Sequence, residues 1–154
     1  MSQDNASPLV THPLSGAIQY ASHLVMICRH RLHMEAVAAL STGNHKRAEL
    51  AVRVRKPLLD VVAWQCPEPL YEHPALAAQC VYPVLYEEDH SIGMLLVYAL
   101  AALESSARAL RHRAGTELPP EEEYLRQLAV QVDETRIAVA LALSVCPGGY
   151  DVGR

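Results

Sequence analysis

An unbroken helical pattern runs from Ile92 to Arg113 and reads IGMLLVYALAALESSARALRHR. Its apolar residues recur at steps of three and four, which is the spacing of one face of an α-helix. The first half is apolar on every side, and a helix of that kind belongs in the centre of a bundle. Gly115 follows closely and predicts the point at which the helix ends. The segment therefore favours an all-α fold.

Two further segments carry the same pattern. Leu14–Leu40 predicts a first helix, because strong stop signals follow it at Ser41-Thr42-Gly43-Asn44. A last helix is predicted to begin at Pro119-Pro120 and to continue to Cys146. Its first turn holds Glu121–Glu123, whose carboxylates complement the positive end of the helix dipole.

The segment after the first helix has a mixed pattern. Asn44 is a good cap for a second helix that begins at His45. Pro57 lacks an amide hydrogen and clashes with the preceding turn, so we expect a kink or break near Arg55. Residues 50–55 also alternate in the manner of a strand, and the sequence leaves helix and strand open there.

Prolines also divide the stretch that follows. Pro57 suits the first turn of a short helix over Leu58–Trp64. Pro74 begins another short helix, which extends to about Val81 before Pro83 interrupts it. The sequence as a whole therefore predicts five to seven helices, with Pro-interrupted helices in the middle.

Length and composition indicate one packed domain. The chain has 154 residues, of which 51% are hydrophobic and 19% are charged, and a chain of this size buries a sufficient core without a metal or disulfide. We expect a flexible lead-in over residues 1–13, a single helical domain over 14–147 and a mobile tail over 148–154.

The N-terminal sequence and the cysteines indicate a cytoplasmic protein. No Lys or Arg precedes Arg29, and no apolar segment of the kind found in secretory signals is present near the start. The longest uncharged apolar runs, Ile92–Leu103 and Ile137–Cys146, are shorter than the roughly 20 residues that cross a bilayer. The four cysteines are far apart, which is typical of reduced thiols and gives no zinc or redox motif. We therefore expect neither a secretory signal nor a membrane span.

The histidines do not make a convincing metal site. His30 and His33 are spaced to share one ion, but His23 lies about 10 Å away along the same helix, so only two ligands are available. Cys28 and Cys146 fall on apolar stripes and are interpreted as buried hydrophobes. We therefore expect no metal, no cofactor and no catalytic residue.

Two charged residues fall on or near apolar helix stripes, namely Glu35 and Arg136. A charge removed from water is tolerated when it is paired and hydrogen-bonded. We expect these two side chains to form a structural ion pair that fixes the register of their helices. Alternatively, the side chain of Glu35, of Arg136 or of both lines a cleft that binds a partner.

Charge is distributed unevenly along the chain. Residues 29–56 contain seven basic and two acidic residues, a balance of +5, whereas residues 57–154 contain six basic and fourteen acidic residues, a balance of −8. The net charge of −4 and the pI near 6.0 argue against general nucleic-acid binding. An acidic surface is instead suited to a basic protein partner.

Aromatic and acidic residues in the Pro-rich middle segment have the composition of an interface, although they can equally seal one end of the core. The residues predicted to bind the partner are Trp64, Glu68, Tyr71, Glu72, Glu87, Glu88 and Asp89.

The sequence thus favours a non-catalytic helical protein that binds another protein, such as an immunity protein, an adaptor or a secretion chaperone. Two alternatives remain open. One is a metal-dependent or hydrolytic helical enzyme that uses Glu35, His30, His33 or His90. The other is a structural homodimer that closes through Ile92–Leu103 and Ile137–Cys146.

Overall fold

The computed structural model describes residues 9–59, 79–84 and 90–146. In chain order these residues form β1 (Leu9–Pro13), α1 (Leu14–Ser41), α2 (His45–Leu59), β2 (Gln79–Pro83), α3 (Ile92–Ala114) and α4 (Glu121–Val145). The chain is predominantly helical, so the predicted all-α class is confirmed. The predicted count of five to seven helices is not matched, because the described residues contain four.

The turn between α1 and α2 is built as the sequence predicts. Gly43 adopts a φ of 75°, a left-handed conformation that favours glycine. The amides of Gly43 and Asn44 donate to the carbonyls of Leu40 at 3.1 Å and Ala39 at 2.8 Å, which together satisfy the end of α1. The Asn44 side chain then accepts the amide of Arg47 at 3.2 Å and caps α2.

Pro57 does not break α2, so the break expected near Arg55 is wrong. Residues 50–55 are helical, and the helix continues through Pro57 to Leu59. Pro57 lies in the last turn of α2 and has no amide hydrogen, so only one backbone hydrogen bond near the end of the helix is lost. The side chain of Leu58 is fully buried, which holds this turn against the core. Of the short helix predicted over Leu58–Trp64, residues 60–64 lie outside the described residues.

A small antiparallel sheet replaces part of the predicted structure. β1 pairs with β2 from Leu9 opposite Pro83 to Pro13 opposite Gln79. Leu9–Pro13 therefore forms a strand within the segment expected as a flexible lead-in, and the helix predicted to reach Val81 is wrong over residues 79–81. The partner strand lies about 70 residues away along the chain, and a local pattern carries no information on such a pairing.

The two long C-terminal helices follow the sequence closely. α3 begins at Ile92, and the Ser91 side chain accepts the amide of Met94 at 3.2 Å. α4 carries Glu121–Glu123 in its first turn, as predicted. The acidic residues Glu87–Asp89, which precede α3 in the sequence, lie outside the described residues.

The four helices surround one apolar core. α1 packs against α2 and α3, and α4 packs against α3 and α2, so α1 and α4 lie diagonally across the bundle. Leucines such as Leu96, Leu103 and Leu110 alternate with alanines in this core. Small side chains let the helices approach closely, which explains how a chain without phenylalanine builds a dense interior. The α1–α2 face and the α3–α4 face are consequently on opposite sides of the bundle.

Candidate functional site

All seven residues predicted to bind a partner lie outside the described residues. They are Trp64, Glu68, Tyr71, Glu72, Glu87, Glu88 and Asp89. The candidate site presented below is therefore formed by other side chains, which belong to the described helices.

The predicted ion pair between Glu35 and Arg136 is wrong. The Glu35 carboxylate, whose side chain is 14% exposed, pairs instead with the guanidinium of Arg47 on α2. Arg136 pairs with Asp133 at 3.0 Å on its own helix. The physical reason is the packing order: Glu35 is on α1 and Arg136 is on α4, and these helices are diagonal in the bundle.

Asp133 links the two C-terminal helices. Its carboxylate accepts from Arg136 and also pairs with Arg111 on α3. One carboxylate between two guanidiniums fixes the rotation of α4 relative to α3 without burying an unpaired charge. This network explains why Arg136 lies near an apolar stripe.

The histidines named as possible metal ligands are not brought together with other ligands. His30 and His33 are exposed on α1, whereas the backbone carbonyl of His90 accepts a hydrogen bond from Arg31. Within residues 9–59, 79–84 and 90–146 there is no group of three or more His, Cys, Asp or Glu side chains that could hold a metal ion.

Burial affects the thiols of Cys28 and Cys146. Cys28 is buried in the core, and burial raises the pKa of its thiol to about 12, against a smaller lowering by nearby Arg31. Burial also raises the pKa of the Cys146 thiol. At neutral pH both groups are protonated, and a protonated thiol is a poor nucleophile.

A stripe of acidic and apolar side chains runs along the outside of α4. Its members recur at steps of three, four or seven, so they share one helix face. The exposed Arg126, which pairs with Glu122 at 3.3 Å, lies on the same face. We call it the α4 stripe; it comprises Glu123, Val130, Glu134, Ile137 and Leu141, all of them exposed.

The apolar members of the α4 stripe are unusually open to solvent. Val130, Ile137 and Leu141 are 53%, 51% and 54% exposed. Met94 and Val97 are also exposed on the outside of α3, the helix that packs beside α4. Exposed apolar side chains that recur on one face mark an interaction surface more often than isolated ones do.

The α4 stripe was not predicted from the sequence, because the core positions of this helix carry the more evident apolar periodicity. A second periodic set was present one face away, with Val130, Ile137 and Leu141 at spacings of seven and four. That second periodicity is the signal that identifies an exposed apolar face.

One described helix, α3, is long and apolar enough by length and composition to cross a membrane. Helices in the core of a bundle meet the same criteria, and Leu95, Leu96 and Leu103 of α3 are buried against the other helices.

Comparisons of the chain with protein-family models, with curated proteins and with solved structures found no match.

Proposed function

We propose that this chain is a non-catalytic, cytoplasmic helical protein that presents an acidic surface to a basic protein partner, in the manner of an immunity protein, an adaptor or a secretion chaperone. The observation that supports this proposal best is the α4 stripe. It offers carboxylates and exposed aliphatic side chains on one rigid helix.

The aliphatic side chains supply the affinity. Covering the exposed halves of Val130, Ile137 and Leu141 contributes on the order of 3 kcal/mol from removal of apolar surface. That contribution is too small for a stable complex by itself, so the partner also covers neighbouring residues. Met94 and Val97 on α3 extend the apolar area in the direction of the neighbouring helix.

The carboxylates select the partner. Glu123 precedes the apolar residues of the α4 stripe and Glu134 lies between Val130 and Ile137, and acidic groups in an interface accelerate encounter with a basic protein. Glu87, Glu88 and Asp89, which the sequence predicts to bind the partner, are proposed to add further negative charge to the interface. Their joint reversal to Lys is expected to slow association and to weaken its dependence on salt.

Co-purification with matched variants tests the proposal. The wild-type chain, tagged and expressed in its source cells, should retain a basic polypeptide that Ile137→Asp and Leu141→Asp each lose, because a buried aspartate lacks a partner in the interface. Leu118→Asp is the control, since Leu118 is an equally apolar and highly exposed residue in the loop before α4. Equal retention by all variants would remove the α4 stripe from the proposal.

A homodimer is a second candidate, and one observation favours it. The segments that the sequence suggested for self-association contain Met94, Val97, Ile137 and Leu141, and all four side chains are exposed. In that case Ile137→Asp would convert a dimer of the purified chain into a monomer, with no second polypeptide involved.

A further inference from the structure

We infer that the opposite side of the bundle, between α1 and α2, binds an acidic amphipathic helix of a partner protein. The inference concerns a surface that the α4 stripe does not share, and it stands independently of the function proposed above. The surface is defined by the line along which α1 and α2 meet.

Two arginines locate this line. The Arg55 side chain on α2 donates to the backbone carbonyl of Arg29 on α1 at 3.1 Å. Met26 and His33 stand three residues before and four residues after Arg29, so they share its side of α1. Val52 and Leu59 stand at the same spacings around Arg55 and share its side of α2.

The apolar side chains along this line are exposed, whereas Arg29 and Arg55 are half-buried. Met26, Leu40 and Val52 are 56%, 56% and 54% exposed, and Leu59 is also open to solvent. Leu40 continues the row on α1 seven residues after His33. We call this surface the α1–α2 seam; it comprises Met26, Arg29, His33, Leu40, Val52, Arg55 and Leu59.

The α1–α2 seam is also basic. Arg29 and Arg55 lie at its centre with no ion pair to another described residue, and the exposed Lys56 lies beside Val52 and Leu59 on α2. The Arg29 guanidinium donates to the thioether sulfur of Met26 at 3.2 Å. A thioether is a weak acceptor, and a carboxylate of a partner would be a stronger acceptor for the same guanidinium. Three of the seven basic residues in 29–56, namely Arg29, Arg55 and Lys56, thus lie on a surface with exposed apolar groups.

This combination fits a helix with apolar residues on one face and carboxylates at its edges. The seam spans about 21 Å from Met26 to Leu40 by the rise of a helix, which accommodates about four turns of a partner helix. Its residues recur every seven positions, which matches the repeat of a third helix packed in the groove between two others. The flexible side chain of Met26, at one end of the seam, can adapt its conformation to the side chains of the partner helix.

A protein helix is favoured over a nucleic acid as the occupant. Surfaces that bind the phosphate backbone combine basic side chains with polar or aromatic groups, whereas the seam places aliphatic Leu40, Val52 and Leu59 on either side of its arginines. Removal of those aliphatic side chains from water is favourable when they pack against an apolar surface.

Binding of two synthetic peptides tests the inference directly. Both are amphipathic helices of about 20 residues with leucines at the same positions, and their polar positions carry Glu in one peptide and Lys in the other. Fluorescence anisotropy should show that the full chain binds the Glu peptide, with affinity that falls as salt rises, and binds the Lys peptide at least about tenfold more weakly. Val52→Asp should reduce affinity for the Glu peptide by about tenfold or more, and Lys56→Glu should reduce its salt dependence.

Control variants separate this inference from the α4 stripe. Ile137→Asp and Leu118→Asp should leave affinity for the Glu peptide unchanged, and circular dichroism verifies that each variant is folded. The inference is overturned if the Glu peptide does not bind, if Val52→Asp binds it as well as the wild type does, or if Ile137→Asp weakens it equally. Displacement of the Glu peptide by a single-stranded oligonucleotide at lower concentration would assign the seam to nucleic acid. Self-association of the wild type that Val52→Asp abolishes would assign it to a second copy of the chain.

Discussion

At the scale of single residues, Cys28 illustrates what an apolar stripe predicts well. The position was interpreted as a small buried hydrophobe, and the structure places it in the core beside Arg31. Burial depends on which face of its own helix a residue occupies, so periodicity is sufficient. Ion-pair partners depend on which helices are neighbours, and for that reason the expected pair of Glu35 with Arg136 was wrong while both residues were correctly placed near apolar stripes.

The raised pKa of Cys28 predicts a loss of stability at alkaline pH. The unfolded chain releases the thiol proton near pH 9, whereas the folded chain retains it until about pH 12. The unfolded state therefore binds fewer protons in this window, and the free energy of unfolding falls as pH rises. Urea denaturation at about pH 8 and about pH 10.5 should show this fall, with a smaller fall in Cys28→Ala. Equal falls in the two proteins would show that the thiol is not the responsible group.

At the scale of elements, the α1–α2 turn was predicted in detail because each of its parts is local. Gly43, Asn44 and the last turn of α1 interact only with one another. β2 was missed because its hydrogen bonds go to β1, and the break at Pro57 was expected because the rule for proline in a helix interior was applied to a last turn.

Two glycine substitutions are expected to have opposite effects. Gly43→Ala should lower the free energy of unfolding by about 1 kcal/mol, because an L side chain is strained at the φ of 75° although no atom lies within 4 Å of the added carbon. Gly93→Ala should raise it by up to about 1 kcal/mol, because Gly93 is helical and the added carbon meets nothing closer than 4.0 Å. Thermal or urea denaturation of the two variants checks the prediction, and a shared sign would contradict it.

The central helix can be tested in the same way. Leu103→Ala should lower the free energy of unfolding by about 2–5 kcal/mol, because the side chain is fully buried between helices and its removal leaves a cavity. Val97→Ala, on the exposed side of the same helix, should change it by less than about 1 kcal/mol. Similar losses in both variants would mean that α3 is covered on its outer face by another molecule.

At the scale of the whole molecule, the sequence predicted separated charge but not where that charge lies. The basic segment contributes the α1–α2 seam, and the acidic carboxylates of α4 contribute the α4 stripe on the opposite side. Each of these two opposite faces carries exposed apolar side chains. The order of helix packing creates this arrangement, and packing order is a long-range property that no single segment encodes.

Native mass spectrometry of the chain, purified gently from its own source without a chelator, is the most direct test of the proposal that it is a binding protein. The account predicts that the chain is recovered with a second, basic polypeptide and that the complex dissociates as salt is raised. Recovery of the chain without a polypeptide, carrying one or two metal ions per molecule, would contradict the account and favour an enzyme. Recovery as two copies of the chain alone would favour the homodimer.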